Sequence, residues 1–349
     1  MSMETKLGRA LIKLRTERGV KGIKVSRYYY VKYLRESRNP YQRIAIDLLL
    51  GKYSLCSGNY SGRIVYNGEV KIVYGAGDGG AQAYLSKGVC EEVIDIREEL
   101  RRYIPQYPIF IIDVLKWFEH TEGEKNEMIE QILTSLALIR NYLWDGNLAI
   151  TSVNDEFLKY LSKYARGMRH SMILSTKTTP EFIKSLGVHH DEVIFLDPEG
   201  DYALSLNDLR KAKVFVIGGI VDKERIDVQG SHKLYIMSGL NELGVRRFRI
   251  ELKGSIRGVP DRINKIIEIL LCSIFHNEDI DRCVINSMTK TDKVLRIMTE
   301  LVKNAKRVRV EGRTELVIEL GRAKEVLRWL NVDEDIIKLA AKKANVRLV

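Results

Sequence analysis

Val214 to Asp222 reads VFVIGGIVD, an apolar, β-branched run that stops at a glycine pair and is followed by an acid. A short continuous apolar run predicts a fully buried strand of a parallel sheet, and the glycines let the backbone approach a ligand closely. The plain alternative is a core strand and its turn. Further along, Leu252 to Asp261 (LKGSIRGVPD) is a second glycine-punctuated segment, opening a long apolar helix. Two such loops, each closing on an aspartate, read as two crossings of the chain at one small-molecule site.

The sequence around them alternates strand and helix from Pro108 onward. Strands are expected at 109–113 (IFIID), 148–152 (LAITS), 171–175 (SMILS), 193–197 (VIFLD) and 247–251 (RFRIE). Helices are expected at 124–143, where Met128, Ile132, Leu136, Ile139 and Leu143 share a face, and at 155–164, 206–212, 236–243 and 262–275. The pattern predicts one α/β domain with a mostly parallel sheet. Such sheets bind ligands at the carboxyl ends of their strands. Asp113, Asp197, Gly218–Gly219 with Asp222, and Lys253–Gly254 all lie just past strand ends.

The 349 residues predict two or three domains, and 45% apolar content suffices for a core. The longest apolar runs fall far short of a membrane span, and MSMETKLGRALIKLR is a charged helix rather than a signal peptide, so a soluble, intracellular protein is expected. Cys56, Cys90, Cys272 and Cys283 form no Cys-x-x-Cys pair, which speaks against a zinc ribbon or a disulfide framework. Adjacent His189 and His190 do not by themselves make a metal site, and no metal is expected. The net charge of +11 is uneven: +8 in residues 1–50, +6 in 281–349, and −3 between. Basic ends around a mildly acidic centre fit a protein that grips nucleic acid, where cations gain from counterion release; a Lys/Arg/Glu-rich, thermophile-like surface is the alternative.

Residues 1–50 read as basic helices, with SRYYYVKYLRES setting Tyr28, Tyr29, Tyr30 and Tyr33 among Arg27, Lys32 and Arg35, a pattern that serves base stacking or plain packing. Short strands and an Asn67-Gly68 hairpin turn follow. GAGDGG (75–80) matches G-x-G-x-x-G, but it follows a hairpin and precedes barely two turns of helix. It reads better as a flexible hairpin tip or linker than as a dinucleotide loop. Residues 281–349 predict a helix, a hairpin and two further helices.

VIFLDPEG before a short helix, VFVIGGIVD after it, and LGVRRFRIELKGSIRGVPDRINKIIEILL together resemble the SPOUT-class tRNA methyltransferases, and among them the family that methylates N1 of the purine at tRNA position 9. The resemblance covers roughly residues 105–280. It implies an α/β, mostly parallel SPOUT sheet with a C-terminal trefoil knot (247–262 threading under the loop after Gly219), S-adenosylmethionine as cofactor and tRNA as partner. As in the archaeal branch, it also implies flanking domains: a basic N-terminal α+β domain, 1–104, and a small basic C-terminal α/β domain, 281–349. A cytoplasmic monomer without an obligatory protein partner is implied as well.

On this reading Leu196, Asp197, Gly218, Gly219, Leu252, Lys253, Gly254, Ile256, Gly258 and Val259 wrap the cofactor. Asp222 is the first candidate for a catalytic acid, acting on the N1 proton of guanine or on the charge that develops on adenine. Asp261, also placed to cap the following helix, and Asp113 come next. Arg27, Lys32, Arg35, Arg246, Arg247 and Arg257 are the candidate RNA contacts, with Arg249 and Arg262 beside them, and the target base must leave the tRNA core. Two rival classes stand against an enzyme of this kind: a non-catalytic RNA-binding protein, and a nucleotide-cofactor oxidoreductase using Gly75–Gly80 with Asp95 at the ribose.

Overall fold

Val214–Gly218 and Ile109–Asp113 are buried at every residue and pair in parallel, from Ile109 opposite Val214 to Asp113 opposite Gly218. Phe110 and Phe215 stack between them with ring centroids 5.5 Å apart. The computed structural model describes residues 5–37, 39–221, 230–310 and 313–349. The chain forms two compact units: Met1–Val193 with Ala212–Val245, and Ile194–Lys211 with Arg246–Val349.

In the first unit Leu148–Thr151 pairs in parallel with Ile109–Asp113, and the two-residue strand Ile173–Leu174 pairs in parallel with Leu148–Thr151. The Glu122–Ile139 helix starts at a capping box formed by Thr121 and Glu124 and buries Met128, Ile132, Leu136 and Ile139. Asp155–Tyr164 is helical as the periodicity predicts. The helix expected at 236–243 lies earlier, at Gly230–Met237, because Gly239 takes a left-handed φ of 78° and ends it.

The amino-terminal part of this unit packs the Lys6–Ile12 and Pro40–Leu49 helices against a three-stranded sheet. Ser54–Tyr66 and Lys71–Ser86 form its long antiparallel pair, turning through Asn67-Gly68. GAGDGG is neither a phosphate loop nor a hairpin tip. It lies inside the second strand: Gly62 faces Gly79 while its neighbour Arg63 faces Tyr74, so residues 75–78 form an extended bulge. A Cβ at Gly77, where φ is 155°, would stand 2.5 Å from the Arg63 nitrogen, which is why the bulge is glycine. No helix follows, and Asp95 is held down to about 2 by Arg97, so a dinucleotide-binding reading has no structural basis.

In the second unit Arg246–Arg249 pairs in parallel with Ile194–Leu196 and with Tyr202–Ala203. The apolar Ile263–His276 helix follows, then the Ile280–Ser287 and Lys290–Asn304 helices. Lys306–Val310 and Arg313–Ile318 form the expected hairpin, joined in parallel by Val346–Leu348.

The expectation against a disulfide framework is wrong. Cys56–Cys90 and Cys272–Cys283 are both disulfides, with Cα–Cα distances of 5.1 and 5.8 Å. Pairing depends on Cα proximity in the fold, which motif spacing does not report. Cys272 and Cys283 meet because two successive helices fold back on each other. No helix among the described residues is long and apolar enough to cross a membrane.

Candidate active site

Asp113 ends its strand fully buried. Its Oδ1 accepts from Leu115 N at 3.0 Å and from Ser152 Oγ at 2.9 Å, while Oδ2 is buried without a partner. Ser152 reaches it from a left-handed backbone, φ 59°, an uncommon conformation for a serine that aims the hydroxyl at the carboxylate. Burial pushes the Asp113 carboxyl up from its ordinary value, opposed by hydrogen bonding from Thr179, Ser152 and the Leu115 N–H. A buried, partly satisfied carboxyl at the carboxyl end of a parallel strand has the signature of a functional group.

Gly219 donates its N–H to the Asp113 carbonyl at 2.8 Å, and a Cβ there would stand 2.7 Å from that oxygen. Strand packing, rather than a ligand, therefore requires this glycine. Gly218 sits against Leu234 and Ile220. Asp222 lies outside the described residues.

His120 has no counterpart among the sequence-derived candidates, since no motif marks it. Its Nδ1 lies 2.9 Å from the Lys116 carbonyl, and its Nε2 lies 3.1 Å from Val221 N. A carbonyl only accepts and an N–H only donates, so the ring is neutral with the proton on Nδ1. It anchors the end of the Gly218–Val221 segment. Burial lowers the His120 pKa, with Lys116 acting the same way, while the carbonyls of Lys116 and Trp117 and the charge of Glu124 oppose the shift. The folded protein holds the neutral ring, so this contact is complete above the ordinary imidazole value of about 6.5. It is lost as pH falls through the lowered folded value. Activity should therefore hold above about pH 6.5 and decline in acid. His120→Gln, whose Oε1 accepts at the Nε2 position at any pH, should flatten that acid limb. Ring ¹⁵N shifts against pH measure the titration itself.

In the second unit Leu196 is buried and pairs with Phe248. Asp197 forms a tight turn, its Oδ1 accepting from Glu199 N at 3.0 Å and its carbonyl from Gly200 N at 2.9 Å. Its Oδ2 takes Arg247 Nη1 at 3.1 Å, and Arg247 Nη2 bonds Asp201 at 2.7 Å. Arg249 is likewise spent on Glu251 at 2.6 Å and the Gly200 carbonyl at 2.8 Å. Arg247 and Arg249 thus hold the turn together.

Leu252–Val259 is a double turn. Leu252 and Ser255 exchange backbone hydrogen bonds of 2.8 and 3.2 Å, and Val259 N donates to the Ile256 carbonyl at 3.2 Å. Leu252 is buried, whereas Lys253, Gly254, Ile256 and Arg257 are exposed. Lys253, Gly254 and Gly258 are left-handed, at φ 48°, 72° and 79°. A Cβ at Gly254 would meet nothing within 4 Å, so an open face lies beside it. Asp261 is exposed, and Arg262 rather than Asp261 holds the helix N-cap position.

Of the expected RNA contacts, Arg27, Lys32, Arg35, Arg246 and Arg257 are exposed. Arg246 lies over the rings of Phe248 and Tyr202, at 5.4 and 6.0 Å. The tyrosines divide. Tyr29 is buried and donates to Asp47 at 2.8 Å, and Tyr30 stacks on Tyr74 at 4.5 Å. Tyr28 is exposed, with Lys32 and Lys87 near its ring. His189 and His190 face Asp191 at 3.3 and 3.5 Å in an exposed cluster.

Residues 105–285, more than half of the chain, match the family described as tRNA (guanine(9)-N(1))-methyltransferase TRM10/TRM10A. The chain belongs to this family. Residues 5–86 match a domain described as the tRNA (adenine(9)-N1)-methyltransferase N-terminal domain. The tRNA (guanine(9)-/adenine(9)-N1)-methyltransferase of Thermococcus kodakarensis is 33% identical over 315 residues, 88% of this chain and 81% of that one. The tRNA (adenine(9)-N1)-methyltransferase of Sulfolobus acidocaldarius is 30% identical over 308 residues, 88% and 91% of the two chains. The crystal structure of Sulfolobus acidocaldarius Trm10 in complex with S-adenosylhomocysteine has the same fold, with a TM-score of 0.66 at 23% identity over 97% of this chain and 99% of that one. A second structure of that protein gives a TM-score of 0.56 at 26% identity, over 82% and 100%.

Proposed function

We propose that this protein transfers a methyl group from S-adenosylmethionine to N1 of adenine at position 9 of tRNA. S-adenosylmethionine-dependent N1 methylation of the position-9 purine is the activity of the family to which the chain belongs. The choice of adenine rests on one observation, the match of residues 5–86 to the N-terminal domain of adenine-9 enzymes. Chemistry supports it: adenine N1 carries a free lone pair and needs no obligatory base, whereas guanine N1 carries a proton that must be removed.

The cofactor supplies an electrophilic methyl group on a sulfonium, which leaves the protein to bind, orient and exclude water. The residues fit that task. The double turn Leu252–Val259 exposes backbone around Gly254, suited to reading an adenine ring. Within it Leu252, Lys253, Gly254, Ile256, Gly258 and Val259 are assigned to the cofactor, as are Leu196, Asp197, Gly218 and Gly219. The buried Asp113 carboxyl, at the end of its strand, is the acid that supports this end of the sheet. Asp222 offsets the positive charge that develops on the base as methyl arrives. Asp261 is the alternative, and Asp113 orients.

The same reading takes the protein as a cytoplasmic monomer that needs no other protein, its fold including the C-terminal trefoil knot. Its chain divides into 1–104, 105–280 and 281–349. Arg27, Lys32, Arg35, Arg246 and Arg257 remain assigned to tRNA phosphates; Arg247, engaged by two carboxylates, is withdrawn. The test is incubation of two transcripts, differing only in A or G at position 9, with labelled S-adenosylmethionine. Label on the A9 transcript and a reverse-transcription stop at that base are expected. Label on the G9 transcript alone would reverse the assignment.

A further inference from the structure

The Leu252–Val259 double turn is mostly exposed, yet residues 281–329 hold it at its backbone. Asp281 Oδ1 accepts from Lys253 N at 3.0 Å, and Arg296 Nη1 donates to the Arg257 carbonyl at 3.1 Å. The Trp329 ring lies under both cations, 4.9 Å from Lys253 Nζ and 5.3 Å from the Arg296 guanidinium. A Cβ at Gly258 would stand 2.7 Å from Arg296 Cβ and 3.1 Å from the Asp292 carbonyl, so loop and helix meet at their closest approach. The Lys290–Asn304 helix places Asp292, Arg296 and Glu300 four residues apart on one face. Arg296 is only 2% exposed, paired with Glu300 at 2.8 Å, and its Nε has no partner. Burying a guanidinium is costly, and an apolar side chain would pack a helix as well. What the guanidinium adds is a rigid donor aimed at one loop carbonyl.

We propose that residues 281–349 clamp the cofactor loop, with Arg296 as the positioning residue that holds the Arg257 carbonyl, so that the methyl donor meets a preformed double turn. The clamp rests on the assignment of Leu252–Val259 to the cofactor. Ordering the loop in advance removes that cost from binding, so losing the clamp weakens cofactor affinity far more than tRNA affinity, to which the loop brings only Arg257 among the five assigned cations.

The test measures S-adenosylhomocysteine affinity by calorimetry and tRNA affinity by filter binding. Both are done on the full chain, at a temperature where circular dichroism shows each variant folded. Arg296→Met with Glu300→Gln removes the donor without stranding a carboxylate. It should weaken S-adenosylhomocysteine about tenfold or more and leave tRNA binding within about twofold. Arg296→Lys, which keeps a donor, should recover part of the loss. Asp281→Ala, at a partly exposed position, should act in the same direction and serves if the double variant does not fold. A direct lesion of the loop, Gly254→Val, separates the two ideas. If Gly254→Val weakens S-adenosylhomocysteine while the Arg296 and Asp281 variants do not, the clamp is overturned and the cofactor assignment stands. If none of them changes that affinity, the loop assignment falls and the clamp with it.

Discussion

Asp222→Ala is expected to slow methyl transfer by about 10²–10³-fold while tRNA affinity stays in place, the size of effect found when one preorganised electrostatic partner is removed from a water-excluded site. The residue follows in sequence on the Gly218–Val221 segment, which leaves the end of a fully buried strand and is anchored by His120. In the proposed reaction at adenine N1, the base gains a positive charge that was absent in the ground state. On the proposed reading a carboxylate beside the base acts mainly on the transition state, so its loss lowers the single-turnover rate rather than binding. Asp222→Asn, which keeps shape and loses charge, should fall nearly as far. Single-turnover assays with saturating tRNA and cofactor give the rate, and filter binding gives the affinity. An unchanged rate would remove Asp222 from the mechanism and move the test to Asp261 and Asp113.

Asp145→Ala is expected to destabilise the first unit by about 3–5 kcal/mol, because it leaves a buried arginine without its counter-charge. Arg140 Nε and Nη2 each meet an Asp145 oxygen at 2.7 Å, and the two side chains are 7% and 0% exposed. The pair is a junction. Asp145 also accepts from Ser171 N at 2.8 Å, and Arg140 Nη2 donates to the Arg169 carbonyl at 3.0 Å. From the Pro40–Leu49 helix, Gln42 Nε2 reaches the carbonyls of Arg140 and Leu143 at 3.2 and 2.8 Å. Asn147, two residues on, ties down the carbonyls of Pro105 and Pro108 at 3.0 and 2.9 Å. At about 2–4 °C per kcal/mol for a domain of this size, the thermal midpoint should fall by roughly 10 °C. Circular-dichroism melts measure this. Arg140→Met with Asp145→Leu, which removes both charges, should recover much of the loss; a double variant as unstable as Asp145→Ala would show that packing, not charge, holds the junction.

Local pattern was enough for much of the central fold. Val214–Gly218, Ile109–Asp113 and Asp155–Tyr164 stand where periodicity places them, because a continuous apolar run and a 3.6-residue stripe each fit one element. The strand expected at 171–175 shrinks to Ile173–Leu174, since an edge strand keeps only the length its one neighbour pairs. GAGDGG shows the limit of a motif. The same six residues suit a phosphate loop or a bulge, and only the opposing strand, with Gly62 and Arg63 pressed against them, decides.

The site divides in the same way. That Asp113, Gly218 and Gly219 stand at strand ends and that Leu252–Val259 turns was legible, because strand ends and glycine-rich turns are written in consecutive residues. The disulfides, the capture of Arg247 by Asp197 and Asp201, the His120 anchor and the Arg296 clamp were not. Each depends on a side chain meeting a partner between 11 and 101 positions away within bonding distance. By itself, then, the sequence determined the alternation of elements, the basic ends, the glycine turns and the acids at the strand ends. Tertiary structure alone decided which cations are spent on carboxylates, which glycines answer to backbone rather than ligand, and what holds the Leu252–Val259 double turn. The physical reason is range. Backbone preference and hydrophobic period act over a few residues, whereas pairing of charge and exclusion of a Cβ are settled only by what the fold brings into contact.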